Sequence, residues 1–540
     1  MLRLLHPRRW SLGVLAAAIV LAFVVGGTIA ERVMRSRQSL EDRAHALTVR
    51  GDAQGAEALY WELIERGPVT LPLVVAFLDN HARLSAPQLE LSEDGEELKL
   101  KAPAATPDEA RVDALLDGDR LPADVATLAR FWRKVKRMAV TEADRAPIVA
   151  AADADPPMPW ANHLLANEAM MTARLEDAAV RYEREGLFFG ASARDERGGD
   201  VERAIEMWIG AEQWDKVGER LADPRYDRLV HAPTRLRYAL HARDWKGAAR
   251  WFLPANLPDW SPGIIGLAGL SALAWFWFCS RIGQLGERPK FRAPLYVAAL
   301  LLGVASVYLT LAIVYVEEVF LHFHEKKNAI ANAIYFVLGV GLREELSKLL
   351  FFAPLLPIIR KWGGRREVVA CGALVGLGFA AEENIGYFDH GSLSTALVRF
   401  LTANFFHMST AAISASALYD FASDRERHTP TLSRAFLLVM GIHGLYDFFL
   451  SFPKWSFLSM VGFVLISRQF LGLVRDLRGT KARGVTLLTR FVVALSTLAG
   501  AGFVYGTFLA GPAMALRAMA EGLLDLAIII YFFVQELEAV

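Results

Sequence analysis

Apolar residues fall in blocks along this chain. Ser11 to Ala30 is an uncharged run of about 20 residues, enough to cross ~30 Å of hydrocarbon as a helix. Residues 31–258 mix polar and apolar positions at helical spacing. From Ser261 onward apolar runs follow in quick succession, at about 261–280, 293–317, 330–359, 368–388, 396–419, 433–451, 455–474, 488–511 and 514–535. The pattern predicts an all-α fold: a polytopic transmembrane helical bundle of about ten spans with an inserted soluble domain. The parts are an N-terminal transmembrane anchor over 1–30, a soluble helical domain over 31–258 and a multi-span membrane domain over 259–540. Arg3, Arg8 and Arg9 ahead of the first run also suit a signal peptide. That run is long for one and no clear A-x-A site follows, so an uncleaved anchor is expected.

Within 31–258 a loose motif recurs: GDAQGAEALYWELIERG from Gly51, ARLEDAAVRYEREG from Ala173, GDVERAIEMWIGAEQ from Gly199 and ARDWKGAARWFL from Ala242. Each copy begins small or polar, reaches Ala, and places an aromatic residue three or four positions later. Small residues let paired helices approach, so the motif predicts helical hairpins stacked as a TPR-like solenoid. Gln88 to Leu100 reads as a β-hairpin with Asp94-Gly95 at the turn, and Ala102 to Pro107 as a linker.

Composition agrees with a mixed architecture. The 540 residues are 54% hydrophobic, too many for a soluble protein, and 22% charged, too many for an all-membrane one. A net charge of +0 gives no bulk attraction to nucleic acid, and no nucleic-acid partner is expected. The two cysteines, Cys279 and Cys371, lie in apolar runs, so the soluble part has no disulfide framework. Basic residues mark alternate loops: Arg281, Arg288 and Lys290; Arg360, Lys361 and Arg365; Arg425 and Arg427; Arg475, Arg478 and Lys481. By the positive-inside rule both termini are cytoplasmic and 31–258 is extracytoplasmic. Arg32, Arg35 and Arg37 argue against this for the first span.

Charges inside the apolar runs carry the chemistry. Each costs at least about 2.5–3.5 kcal/mol at a bilayer centre, so such groups face inward and pair. Glu344, Glu345 and Lys348 stand in REELSK, where Lys348 follows the glutamates by four and three positions and its ammonium can reach either. Glu383 and Asn384 stand in GLGFAAEENIGYF, where Gly376 and Gly378 permit close helix approach. His407 shares a small, polar face with Asn404, Thr410 and Ala411. His443 and Asp447 lie one turn apart in GIHGLYDFF, so Asp447 can orient the imidazole. Glu317, Glu318, His322 and His324 read as a solvated cluster at a span end, Glu382 as an interfacial carboxylate, and Arg517, Glu521 and Asp525 as intramembrane pairing. HExxH, GxSxG and an intramembrane GxGD site are all missing.

Taken in order, EELSK at Glu344, GFAAEEN at Gly378, His407 followed by small residues, and HGLYD at His443 resemble the PrsW family of glutamic-type intramembrane proteases. CAAX-processing and bacteriocin-processing membrane proteases are more distantly similar. The resemblance covers about 290–475 and is specific because four motifs fall on four successive spans. It implies an endopeptidase that cuts a membrane-anchored protein substrate, with Glu344, Glu345, Glu383, His407 and His443 as catalytic residues and Lys348, Asn384 and Asp447 in support. Glu344 or Glu345 is the expected base, and a bacterial inner membrane the expected location. The 31–258 domain would dock a substrate or a protein partner. The resemblance favours a metal-free mechanism, so no metal ligands and no cofactor are assigned, yet Glu with two His is also a zinc ligand set. A proton-coupled transporter is the runner-up, since Glu/His chains also relay protons. A membrane receptor or scaffold is the third reading.

Overall fold

The computed structural model of the chain describes residues 7–49, 52–85, 88–91, 98–101, 108–189, 199–257, 262–326, 328–390, 393–477 and 485–539. It divides into two compact units. One comprises Val33–Leu257; the other joins Met1–Arg32 to Pro258–Val540.

The 33–257 unit consists of short helices, apart from a strand pair. Gln88–Leu91 pairs antiparallel with Leu98–Lys101, Gln88 opposite Lys101. The expected Asp94-Gly95 turn and the Ala102–Pro107 linker lie outside the described residues. Three helix ends in this unit share one geometry. Ala161–Met171, Asp200–Gly210 and Ala232–His241 each end two residues before a left-handed residue, Ala173, Glu212 or Arg243, with φ of 57°, 58° and 55°. The next N–H then reaches back across the turn: Arg174 to Ala169 O at 2.8 Å, Gln213 to Trp208 O at 2.9 Å, and Asp244 to Ala239 O at 2.9 Å. This closure satisfies carbonyls that a helix end would leave open. It also reverses the chain tightly enough to make helical hairpins. Two apolar cores fill the unit, one around Phe77, Phe131 and Trp132 and one around Tyr182, Ile205 and Trp208.

Among the described residues of the membrane unit, seven helices are long and apolar enough to cross a bilayer: Ser11–Met34, Pro262–Ile282, Pro289–Phe320, Arg365–Phe388, Arg425–Leu450, Lys454–Asp476 and Leu487–Ala510. A bent pair, Pro512–Asp525 with Ala527–Glu538, makes up to eight. The runs at 330–359 and 396–419, which were expected to be single spans, are not among them. The first is broken into Ala329–Ile334, a π-helical turn over Tyr335–Gly341, the helix Leu342–Phe352, a 3₁₀ turn and Leu356–Trp362. The second divides into Leu393–Leu401 and Ala403–Ser423. The physical reason is the same in both. These segments carry buried polar groups, among them Glu344, Glu345, Lys348, Asn404 and His407, which lower their hydropathy and favour burial in protein over contact with lipid.

The core of this unit is aromatic. Trp275 lies 5.2 Å from Phe400 and 5.3 Å from Phe405 between ring centroids, and its indole N–H donates to the Phe400 carbonyl at 2.9 Å. Helix Arg365–His390 is the central element, with 78% of its most apolar stretch buried inside the protein. It packs against both Pro289–Phe320 and Ala403–Ser423. Gly376 makes the second packing possible, because a Cβ there would collide with the backbone carbonyl of His407. Gly376→Ala is therefore expected to push His407 off its helix partner and to cost about 1–3 kcal/mol, the usual range for overpacking. Gly386→Ala, where a Cβ meets open space, is the control. Thermal unfolding of the purified protein in detergent compares the two; equal melting temperatures would show that the contact is slack.

Candidate active site

The site is assembled by helices touching backbone to backbone. A Cβ at Gly341 would collide with the Met440 carbonyl, and one at Gly444 with the Phe336 carbonyl. With no side chains between them, the π-helical turn 335–341 lies directly on helix Arg425–Leu450. The glutamates that follow the turn then arrive beside His443. The Gly376 contact brings His407 in from the other side.

Five buried ionisable groups meet there, with the half-buried Glu383 and Asp447 beside them. Glu345 and Lys348 are fully buried, and Glu344, His407 and His443 nearly so. Lys348 Nζ donates to Glu345 Oε1 at 2.9 Å, to Glu344 Oε2 at 3.4 Å and to His407 Nδ1 at 2.7 Å. Glu345 Oε1 is also 2.7 Å from His443 Nδ1 and accepts from Thr410 Oγ1 at 3.1 Å. His443 Nε2 lies 3.5 Å from Glu344 Oε2 and 3.3 Å from Asp447 Oδ2. His407 Nε2 lies 3.2 Å from Glu383 Oε2. Each imidazole is thus held at Nδ1 by one group, Glu345 or Lys348, and turns Nε2 toward the other carboxylates.

A cavity of about 770 Å³ opens onto this cluster, and Glu344, Glu383, His407, His443 and Asp447 line it. Glu345, Lys348 and Asn384 do not. They form the layer behind. Asn384 accepts from Arg399 Nε at 2.6 Å and donates to Asn404 Oδ1 at 2.7 Å, and Asn404 in turn donates to Ser271 Oγ at 2.6 Å. That chain ties the Glu383 helix to three others.

Sequence reasoning missed Arg399. Its guanidinium donates to Glu383 Oε2 at 2.6 Å, lies 3.6 Å from the Tyr387 ring centroid, and faces the cavity. The signal was available, since Arg399 is the sole Lys or Arg within 396–419. Groups set aside from the site lie elsewhere. Glu382 hydrogen-bonds Tyr308. Glu317 pairs with Arg343 at 2.7 Å, and Arg517 with Glu521 at 2.7 Å. Asp525 departs from the expected pairing and lines the cavity.

The model of a known family, PrsW family intramembrane metalloprotease, matches residues 292–471. That segment belongs to the PrsW family. All four motifs lie inside it, and the resemblance drawn from them is borne out. No curated protein and no solved structure matches the chain. With its apolar helices and its PrsW segment, the protein is an integral membrane protein and carries a membrane protease domain. Residues 33–257 and the helices after 471 lie outside the match.

The family description names a metalloprotease, which differs from the metal-free expectation. The residues present fit a metal in type and spacing. Glu344, His407 and His443 each offer one ligand atom, all within 4.8 Å of one another. The 3.5 Å between His443 Nε2 and Glu344 Oε2 is close to the edge of a tetrahedral zinc site, about 3.4 Å for bonds of ~2.1 Å. Glu345 at the far nitrogen of His443 is the carboxylate support that metal-bound histidines usually have.

Lys348 balances the charge of the cluster. Lys348→Met keeps about the length of the aliphatic stem and removes the ammonium, leaving Glu345 buried without that cation. Breaking a buried pair in this way is expected to cost about 3–5 kcal/mol. Arg517→Met at the exposed Glu521 pair should leave the melting temperature unchanged. A Lys348→Met protein as stable as wild type would show that the cluster does not depend on this ammonium.

Proposed function

We propose that the protein is an intramembrane endopeptidase that hydrolyses peptide bonds of membrane-anchored proteins at the 770 Å³ cavity. The observation that carries this reading is convergence. Glu344, Glu383, His407 and His443, from four separate helices, line one cavity beside a buried layer that fixes their rings and carboxylates. Peptide hydrolysis requires an activated water, a donor for the oxyanion and an acid for the departing amine. A cavity lined by Glu344, Glu383 and two imidazoles, with Asp447 beside them, holds those parts.

Glu344, His407 and His443 are the residues that would hold a divalent ion such as zinc. When bound, the ion would lower the pKa of a water and polarise the peptide carbonyl. The chain's own contributions do not depend on it. Glu345 fixes His443 through Nδ1 and Lys348 fixes His407 through Nδ1, so both rings present Nε2 to the cavity. Because the Lys348 ammonium donates to His407 Nδ1, the His407 proton sits on Nε2 facing Glu383, and His407 would have to give it up to hold an ion. Glu383, held by Arg399, accepts and returns a proton within reach of His407. Arg399 also presents guanidinium N–H groups to the cavity for the carbonyl oxygen of a bound peptide. Without a metal, Glu344 is the base, since it reaches the cavity and Glu345 does not. Glu345 is then a positioning residue. The helical hairpins of 33–257 would bind the extramembrane part of the substrate or a protein partner.

Reconstituted protein is offered candidate membrane proteins. Glu344→Gln, Glu383→Gln and His407→Ala are expected to lower the cleavage rate at least about 100-fold, the scale of losing one acid–base group. Cleavage that persists in all three would overturn the assignment. Chelator then separates the two forms of the mechanism. Activity lost with chelator and restored by zinc supports the Glu344–His407–His443 ligand set; activity indifferent to chelator supports Glu344 as base.

A further inference from the structure

The last two helices, Pro512–Asp525 and Ala527–Ala539, meet at a 57° bend and lie outside the PrsW segment. Their junction nevertheless falls at the site. Asp525, Leu526 and Ile529 line the same cavity as Glu344, Glu383, His407 and His443.

Packing on both sides holds the junction there. Beyond it, Phe533 is fully buried, its ring centroid 4.7 Å from Phe405 and 4.9 Å from Phe491. Further along, Glu536 lies 3.4 Å from Arg468 and 3.5 Å from Arg475. Before it, Pro512–Asp525 packs on Leu393–Leu401, the helix that carries Arg399. A straight helix could not follow both surfaces, and the bend lets the chain leave one for the other at the cavity. Leu526 and Ile529 are 3% and 5% exposed, so they are fixed parts of the wall.

The cavity lining is of two kinds. Glu344, Glu383, His407, His443 and Asp447 come from the motif helices, while Arg399 and Asp525 add charged groups from helices outside the motifs. Val398, Phe406, Met460, Leu526 and Ile529 supply apolar surface. A polar side chain set against such a wall loses water without gaining partners, which costs free energy. An aliphatic or aromatic one loses nothing.

Resting on the peptidase reading, we propose that Leu526 and Ile529 are specificity-determining residues. They form an apolar subsite for a substrate side chain flanking the scissile bond, and the size of Leu526 sets the size of side chain it takes. Selectivity is thereby supplied by a part of the chain that the family segment does not include. A hydrophobic pocket discriminates about tenfold or more for each methylene gained or lost.

The test uses the full chain in detergent micelles and transmembrane peptides randomised along their apolar segment, with cut sites read by mass spectrometry. Wild type is expected to prefer apolar over charged residues at one flanking position. Leu526→Ala should shift that preference toward larger side chains by about tenfold in relative rate, and Leu526→Trp toward Gly and Ala. Leu524→Ala, at a residue 74% exposed and absent from the cavity lining, should change nothing. Ile529→Val, which removes a single methylene, carries the comparison should a larger change abolish activity; it is expected to shift the preference toward larger side chains, by less than Leu526→Ala. An active wild type whose variants keep its cut-site preference overturns this inference alone. A wild type that cuts no peptide overturns the peptidase reading and this inference together.

Discussion

One ammonium group is the hinge of the membrane unit. Lys348 Nζ lies within 3.4 Å of Glu344, Glu345 and His407 at once, in a place that water does not reach. Two carboxylates could not share that volume unneutralised, because their repulsion and their desolvation act in the same direction. The ammonium offsets both. It also fixes one ring nitrogen of His407, while Glu345 fixes one of His443. The two imidazoles and Glu344 that face the cavity are oriented by this buried layer.

The layer requires close helix approach, and small residues provide it. Gly341 and Gly444 let the π-helical turn rest on the His443 helix, and Gly376 lets the Glu383 helix rest on the His407 helix. Side chains in either gap would separate the helices by more than a hydrogen bond can bridge. The same polar groups explain why two of the segments are poor bilayer spans. They are spent on one another and on the cavity, and longer, more apolar helices surround them.

The four motifs were legible because charges in apolar runs are costly and therefore informative. In the structure the four motifs lie together, with 3.5 Å between His443 Nε2 and Glu344 Oε2 and 3.2 Å between His407 Nε2 and Glu383 Oε2. Arg399 was overlooked because it stands at the edge of an apolar run, where an arginine reads as an interfacial anchor. The division of labour between Glu344 and Glu345 was not legible either. Neighbours in sequence on a helix differ by about 100° in direction, and only the positions of the other helices decide which direction is the cavity. Asn384 shows the same effect: a polar residue beside Glu383 in the chain, it points into a hydrogen-bonded ladder behind the site.

By itself the sequence determined a helical chain with apolar segments long enough to cross a membrane, and the PrsW character of the 292–471 segment. These depend on local period, composition and motif order, which are written along the chain. Tertiary structure alone decided that the runs at 330–359 and 396–419 are broken, that Glu344 lines the cavity while Glu345 lies behind it, and that Asp525, Leu526 and Ile529 from the final bent helices join the wall. Those outcomes depend on contacts between residues far apart in the chain, such as Glu345 with His443 or Phe405 with Phe533, and no local pattern encodes a distance across the bundle.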